Sequence, residues 1–173
     1  MKKLIRNIIL ACLLAIAAFQ IIRSTSHIRD RDIEAAVVAA NPPLTVYTLA
    51  GDTADIRYLG NDHPSVVVYF SPDCDHCQRE AKSLRSHLAD FRGIPIIMLS
   101  LEGAAETREF SRAYKLDSTP EVRFYLDRNH QFPLYFQTRG YPIILIYNSQ
   151  HHLTRLFQGE TSPADIIRAL PKG

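Results

Sequence analysis

The tetrapeptide Cys74-Asp75-His76-Cys77 directly follows the apolar run Val66-Val67-Val68-Tyr69-Phe70. A continuous run of β-branched and aromatic residues reads as a buried central strand. Two thiols three positions apart at the start of the helix that follows lie on adjacent positions of its first turn. They are close enough to form a disulfide, with the first exposed to a partner. The helix N-terminus supplies unpaired N–H groups and the positive end of the dipole, and both favour thiolate. A dithiol held this way cycles between reduced and oxidised forms. The spacing by itself also occurs in metal sites and in inert buried pairs.

Cysteine usage bears on that choice. The chain has three cysteines, Cys12, Cys74 and Cys77. A structural zinc site usually takes four ligands, commonly from two such pairs or from Cys and His at set spacings. No second pair exists, and the His151-His152 pair, which reads as a polar turn, is far along the chain. Redox chemistry is the reading the pattern favours, with no metal and no cofactor expected. Cys12 sits inside an apolar stretch and reads as a small lipid-facing residue. A lipoprotein reading of Leu10-Ala11-Cys12 fits poorly, because the apolar run continues well beyond it.

Charge is distributed unevenly. Residues 1–31 carry six Lys/Arg and one Asp, a net +5, while the remainder carries 14 basic and 17 acidic residues, a net −3. The remainder has no basic stripe of the kind nucleic-acid binding requires, so no nucleic-acid partner is expected. Lys2, Lys3 and Arg6 precede an apolar stretch from Ile8 to Ile22, broken only by Gln20. With Leu4 and Ile5 it reaches about 19 residues, close to the ~20 needed to span a bilayer. A cleaved signal peptide is the alternative, since Ala15-Ile16-Ala17 has the small-x-small form of a cleavage site. The continuing run Phe19-Gln20-Ile21-Ile22 favours an uncleaved anchor. The leading positive cluster favours an internal amino end. The expected organisation is a membrane anchor over 1–24, a juxtamembrane stalk over 25–41 and one folded domain over 42–173. That domain, about 130 residues, is long enough to build an ordinary core. In a bacterium it would sit on a single-pass anchor in the inner membrane, facing the periplasm.

Within the domain, Leu44–Leu49 alternates like a strand, Ala50-Gly51-Asp52-Thr53 reads as a turn, and Asp55–Leu59 reads as the returning strand. A helix is expected from Cys74 to about Phe91, with Ala81, Leu84, Leu88 and Phe91 at helical spacing. Ile94–Leu99 reads as a second buried strand, Ala104–Tyr114 as a helix and Val122–Leu126 as a shorter strand. The stretch Asn129–Phe136 suggests one helical turn interrupted by Pro133. Ile143–Tyr147 reads as another buried strand, Asn148–His151 as a hairpin turn and Leu153–Phe157 as its partner. Ser162-Pro163 is a cap followed by proline at the first helical position, and the helix runs to Leu170. Together these predict an α/β domain with a mixed sheet covered by helices on both faces.

The chain resembles the thioredoxin-fold proteins, specifically the membrane-anchored TlpA/ResA-like thiol-disulfide oxidoreductases, over residues 42–173. The resemblance rests on Tyr69-Phe70-Ser71-Pro72-Asp73-Cys74-Asp75-His76-Cys77, the trailing Gln78-Arg79-Glu80, and Gly140-Tyr141-Pro142 just before Ile143. The early strand pair and the Gly159–Ser162 ending also match. It implies a thioredoxin-like mixed central sheet flanked by helices, with an N-terminal β-hairpin extension behind a transmembrane helix. It implies a cis proline at Pro142 packed against the dithiol, and an acidic residue near the thiols at Glu80. Implied partners are protein thiols and disulfides, such as apocytochrome c or other exported proteins, and a membrane or extracytoplasmic thiol electron donor. The chain departs from the family in having no Trp, in its Asp-His dipeptide, and in the bulky Tyr141 before the proline.

In this reading Cys74 attacks and Cys77 resolves. A protonated His76 would stabilise the Cys74 thiolate, against the opposing charges of Asp73 and Asp75. The alternative for His76 is a solvated side chain. Glu80 is either a proton acceptor near Cys77 or surface charge on a solvent-facing helix position. Gly140 and Tyr141 are expected to flank a bound partner peptide, with Tyr141 gating its approach or merely packing. A peroxiredoxin-like peroxidase would need Thr or Ser three before its reactive Cys and Pro four before that. Ser71 meets the first requirement and Val67 fails the second. A copper-delivery module using Cys74, Cys77 and a distant His is the other alternative, since soft thiolates suit Cu(I). Related copper carriers usually have three residues between the cysteines.

Overall fold

The computed structural model describes residue 7, residues 12–17, 19–20 and 31–171. Of the apolar run Ile8–Ile22 expected to form the anchor, residues 12–17 and 19–20 are described and helical, and the rest lies outside the described residues. Among the described residues, no helix is long and apolar enough to cross a membrane. Residues 31–40 are helical, and a compact unit begins at Val37. Val37 is buried, and Asn41 closes this end of the unit by accepting from the Leu153 amide at 2.9 Å and donating to the His151 carbonyl at 3.1 Å.

The unit is built on one seven-stranded sheet. In chain order the elements are β1 (Thr45–Thr48), β2 (Thr53–Asp55), β3 (Ser65–Phe70), α1 (Asp75–Ser86), β4 (Ile96–Ser100), α2 (Ala104–Ala113), β5 (Val122–Leu126), α3 (Phe132–Phe136), β6 (Ile143–Tyr147), β7 (Leu153–Gln158) and α4 (Pro163–Ala169). The strand order is β2-β1-β5-β4-β3-β6-β7. Strands β3, β4 and β5 run parallel, whereas β6 and β7 are antiparallel additions beside β3. The β1–β2 hairpin is antiparallel and extends the sheet beyond β5. All six residues of β3 are buried, as are all five of β4 and of β6. These are the continuous apolar runs of the sequence, apolar because both of their faces are covered.

The connections β3-α1-β4-α2-β5 advance across the sheet in one direction. Right-handed crossovers therefore put α1 and α2 on the same face. There, Val66, Val68 and Phe70 pack with Cys77, Ala81 and Leu84 of α1, Phe110 of α2 and Ile166 of α4. By the alternation of a strand, Val67 and Tyr69 point to the other face. Tyr69 stacks there on Phe132, with ring centroids 3.9 Å apart and planes 14° from parallel, and Phe132 stacks on Phe136.

Three expectations need correction. The returning strand is Thr53–Asp55, and Ile56–Tyr58 is a 3₁₀ turn. The Asp55 carboxylate accepts from the Arg57 amide at 2.9 Å and from its guanidinium at 2.7 Å, a local bond that draws the backbone out of the ladder. The helix expected to reach Phe91 stops at Ser86 and is followed by a 3₁₀ segment, Leu88–Phe91. Ser86 Oγ and His87 Nδ1 both take the Ser83 carbonyl, at 2.8 and 2.9 Å, which ends the helical ladder. Pro133 does not interrupt a turn but opens α3, where its missing N–H costs nothing.

Asp127, just after β5, ties the face that carries Tyr69 to the start of α3. It is 1% exposed and accepts from the Gln131 amide at 3.1 Å, the Phe132 amide at 2.9 Å and the Tyr69 hydroxyl at 3.4 Å. Asp127→Ala should lower unfolding stability by on the order of 3 kcal/mol, because it strands buried donors. Asp127→Asn, which keeps an acceptor, should lose less than half of that. Urea unfolding followed by circular dichroism measures both, and equal losses for the two variants would contradict the hydrogen-bond account.

Candidate active site

Strand β3 ends at Phe70, and a turn of Ser71-Pro72-Asp73 carries the chain into α1. The Cys74 amide donates to the Ser71 carbonyl at 3.2 Å, and Gln78 Nε2 reaches back to the Pro72 carbonyl at 3.0 Å. Cys74 is therefore fixed as the N-cap of α1, with extended backbone and a carbonyl that accepts the Gln78 amide at 3.0 Å. Cys77 falls within the first turn and faces the core. The two thiols are free; Cys74 is half-buried and Cys77 is 1% exposed.

The loop before β6 closes on Cys74. The Tyr141–Pro142 bond is cis, and the Tyr141 carbonyl oxygen lies 3.9 Å from Cys74 Sγ. Gly140 adopts φ +77°, a left-handed conformation that a glycine takes without penalty. The Tyr141 ring packs 5.4 Å from Tyr69, so the loop leans on the aromatic stack under the sheet. The chain after β7 closes the same region, since the Gly159 amide donates to the Pro142 carbonyl at 2.8 Å.

Glu80 is not a surface residue. It is 2% exposed on the inner face of α1, one turn beyond Cys77. Burial pushes its carboxyl up to about 7; a hydrogen bond from the Thr161 amide to Oε2, at 2.8 Å, opposes this, and the charge of Glu160 adds to it. The other oxygen, Oε1, is buried without a hydrogen-bond partner. Burial also pushes the Cys77 thiol well up; the Ser71 backbone opposes this by a hydrogen bond, while Cys74 and Glu80 reinforce it. A thiol that resists ionisation thus sits beside a carboxyl that ionises near neutrality.

His76 is exposed at the start of α1. Its Nδ1 meets the Glu160 carboxylate and Arg79 Nη2, the latter at 2.7 Å. Arg79 also holds Glu160 through Nε at 3.0 and 3.2 Å and through Nη2 at 2.7 Å. A single imidazole nitrogen either donates to Glu160 or accepts from Arg79, so the three groups form an exposed clasp with one proton to arrange. This clasp joins α1 to the 159–162 loop, whose Thr161 amide holds Glu80. Sequence reasoning missed Arg79, Glu160 and Thr161, which are brought together by contacts 81 residues apart along the chain. Among the described residues, no three His, Cys, Asp or Glu side chains gather closely enough to hold a metal ion.

The position of Glu80 has a consequence for stability. Its folded carboxyl binds a proton more tightly than the ordinary value of 4.5, so the folded state is favoured below that value and loses ground as pH rises toward 7. The loss amounts to on the order of 3 kcal/mol by pH 8. Glu80→Gln removes this titration. Its unfolding free energy relative to the parent should therefore rise between about pH 4.5 and 8. A difference between the two proteins that stays flat across that range would show that Glu80 is not held as described.

Comparisons with known proteins agree with this geometry. The AhpC/TSA family matches residues 38–165. Among solved structures, dsbF of MTB is 19% identical, with a TM-score of 0.61 over 75% of this chain and 94% of that one. StoA from Bacillus subtilis is 14% identical, with a TM-score of 0.57 over 73% and 95%. The peroxidoxin BcpB from Mycobacterium tuberculosis is 13% identical, with a TM-score of 0.61 over 73% and 90%. No curated protein sequence matches the chain. At these identities the solved structures establish a thioredoxin-like fold, and the family match runs from the segment just after the start of the compact unit into its last helix. The helix-start dithiol thus belongs to a domain matched almost end to end, and the chain is a member of the AhpC/TSA family of thioredoxin-fold thiol oxidoreductases.

Proposed function

We propose that the protein exchanges disulfides with exported protein partners through Cys74 and Cys77. The observation that carries this reading is the asymmetry of the pair, a half-exposed Cys74 beside a backbone carbonyl and a fully buried Cys77 beside a near-neutral carboxyl. The Cys74 thiolate attacks one sulfur of a partner disulfide. The partner S–S bond breaks, a Cys74–partner disulfide forms, and the other partner sulfur leaves as thiolate. Cys77 gives its proton to Glu80 and attacks Cys74 Sγ. The Cys74–Cys77 disulfide forms, the second partner sulfur leaves, and two electrons have passed to the partner. Run in reverse, the same steps oxidise a partner dithiol. Gly140, Tyr141 and Pro142 line the approach to Cys74, where the Tyr141 backbone is available to an extended partner segment.

Family membership also admits a peroxidase, and Ser71 stands three residues before Cys74 as a peroxidase would require. Val67, at the place where that chemistry calls for Pro, is paired with Ile97 and Leu145 inside the sheet. The buried resolving thiol within the same turn of helix supports disulfide exchange instead. Copper delivery remains the third reading; stoichiometric Cu(I) binding without any disulfide exchange would replace the proposal with it.

Cys74→Ser should abolish exchange with a model protein disulfide, and Cys77→Ser should accumulate mixed disulfides visible on non-reducing gels. Brief alkylation at mildly acidic pH should modify Cys74 first. Preferential modification of Cys77 would reverse the two roles. The reduction potential of the pair assigns direction: about −270 mV or below for a reductant, about −120 mV for an oxidant.

We also propose that residues 8–22 hold the protein in a bacterial inner membrane with the domain in the periplasm. Lys2, Lys3 and Arg6 ahead of an apolar run support this orientation. A reporter active only outside the cytoplasm, fused after Gly173, should be active. Activity of a cytoplasm-only reporter there would refute the orientation, and a mature N-terminus near Ala18 would refute the anchor.

A further inference from the structure

Strand β5 is paired on one side along its whole length by β4, from Ile96↔Val122 to Ser100↔Leu126. On its other side β1 covers only Tyr125 and Leu126. The chain then turns away through Thr48–Asp52, where the Gly51 and Asp52 amides donate to Thr48 Oγ1 at 3.2 and 3.1 Å. Among the described residues, the remaining edge of β5, over Val122–Phe124, has no strand beside it, although the Val122 amide there donates to the Thr119 carbonyl at 3.0 Å. It opens onto a groove of about 530 Å³ lined by Thr48 and Leu49, by Arg108 and Arg112 of α2, and by Phe124 and Tyr125 of β5.

The charge of this groove is one-sided. Arg108, Arg112 and Arg123 line it, against Asp117 as its single acidic residue. Each arginine has a backbone carbonyl as its partner: Arg108 Nη2 donates to Leu49 at 2.9 Å, Arg112 Nε to Arg108 at 3.2 Å, and Arg123 Nη2 to Leu59. Among the described residues, none of the three is bonded to a carboxylate. A guanidinium has five N–H donors, so donors remain on each. An unpaired strand edge is a template for another strand. An edge guarded by arginines repels basic strands and admits acidic ones.

We infer that the groove between α2 and the free edge of β5 docks an extended acidic segment of a partner protein, which continues the sheet in line with β1. The main chain of the segment pairs with the outward-facing Phe124 and with the Val122 carbonyl, the Val122 amide being held by Thr119. Side chains of an added strand alternate between the two faces of the sheet, so acidic residues at every second position meet Arg108 and Arg112 over α2. The surface is separate from the thiol site, with β4 and β5 standing between it and the strand that delivers Cys74. It would hold a partner without taking part in the chemistry, and it does not depend on that chemistry being correctly assigned.

The test uses the full-length protein in detergent and two labelled peptides, (Val-Glu)₄ and (Val-Lys)₄, followed by fluorescence anisotropy. The acidic peptide should bind saturably and the basic one should not. Binding should weaken as salt rises from about 0.05 to 0.3 M. Arg108→Ser with Arg112→Ser should weaken it by roughly tenfold or more, about 1.4 kcal/mol. Arg112→Glu alone, at an exposed position whose one bond is local, should weaken it without changing the circular dichroism melt. Hydrogen exchange at the Phe124 amide, within 122–124, should slow on binding, and reduction of a small aromatic disulfide should proceed as in the parent. Equal binding of both peptides, indifference to the arginine variants, or unchanged exchange over 122–124 would overturn the inference. Full displacement by millimolar inorganic phosphate, with no protection over 122–124, would make the groove a small-anion site and would likewise overturn it.

Discussion

The register between β3 and β6 is the constraint on which the site depends. The antiparallel ladder runs from Ser65↔Tyr147 to Tyr69↔Ile143. Its last pair sets the end of β3, from which the Cys74 turn departs, beside the start of β6, from which the Tyr141–Pro142 loop departs. The 3.9 Å approach of the Tyr141 carbonyl to Cys74 Sγ follows from that pairing. A slip of one residue would exchange the faces of β6 and carry the loop away from the thiol. Close packing on both faces holds the register, since all five residues of β6 and all six of β3 are buried against neighbours whose shapes a slip would mismatch.

A second set of contacts makes the buried side of the site. The chain leaving β7 returns across the loop and the helix. The Gly159 amide takes the Pro142 carbonyl, and the Thr161 amide takes Glu80 Oε2. Glu160 lies between these two anchors and faces outward to Arg79 and His76. Exposed ion pairs of this kind contribute little to global stability. Their consequence is positional: His76, between the cysteines, is bonded to the loop that holds the buried carboxyl. His76 therefore reaches Glu80 through the backbone of residues 160–161.

Much of the architecture is legible in the sequence because burial on two faces produces runs that nothing else explains. Val66–Phe70 and Ile143–Tyr147 read as buried strands for that reason, and Ser162-Pro163 reads as a helix start because a cap and a first-turn proline meet local needs. The errors fall where short-range side-chain bonds compete with periodicity. Asp55 ends a strand early by holding Arg57, and Ser83, Ser86 and His87 end α1 a turn before the apolar spacing stops.

The dithiol spacing and the apolar strand ahead of it are local facts, and the sequence determines them by itself. What it leaves open is which face of α1 each residue occupies against the rest of the chain. Glu80 reads equally as solvent-facing charge or buried acid, because helical spacing assigns an angle and not a neighbour. Only tertiary packing puts α4 and the 159–162 loop over that angle. The loop brings a backbone N–H to one carboxylate oxygen, excludes water from the other and raises the carboxyl to about 7. The same holds for the arginine-lined groove. Its charges are spaced along α2 and β5 in the sequence, but the open strand edge beneath them exists only because β1 turns away after two pairs.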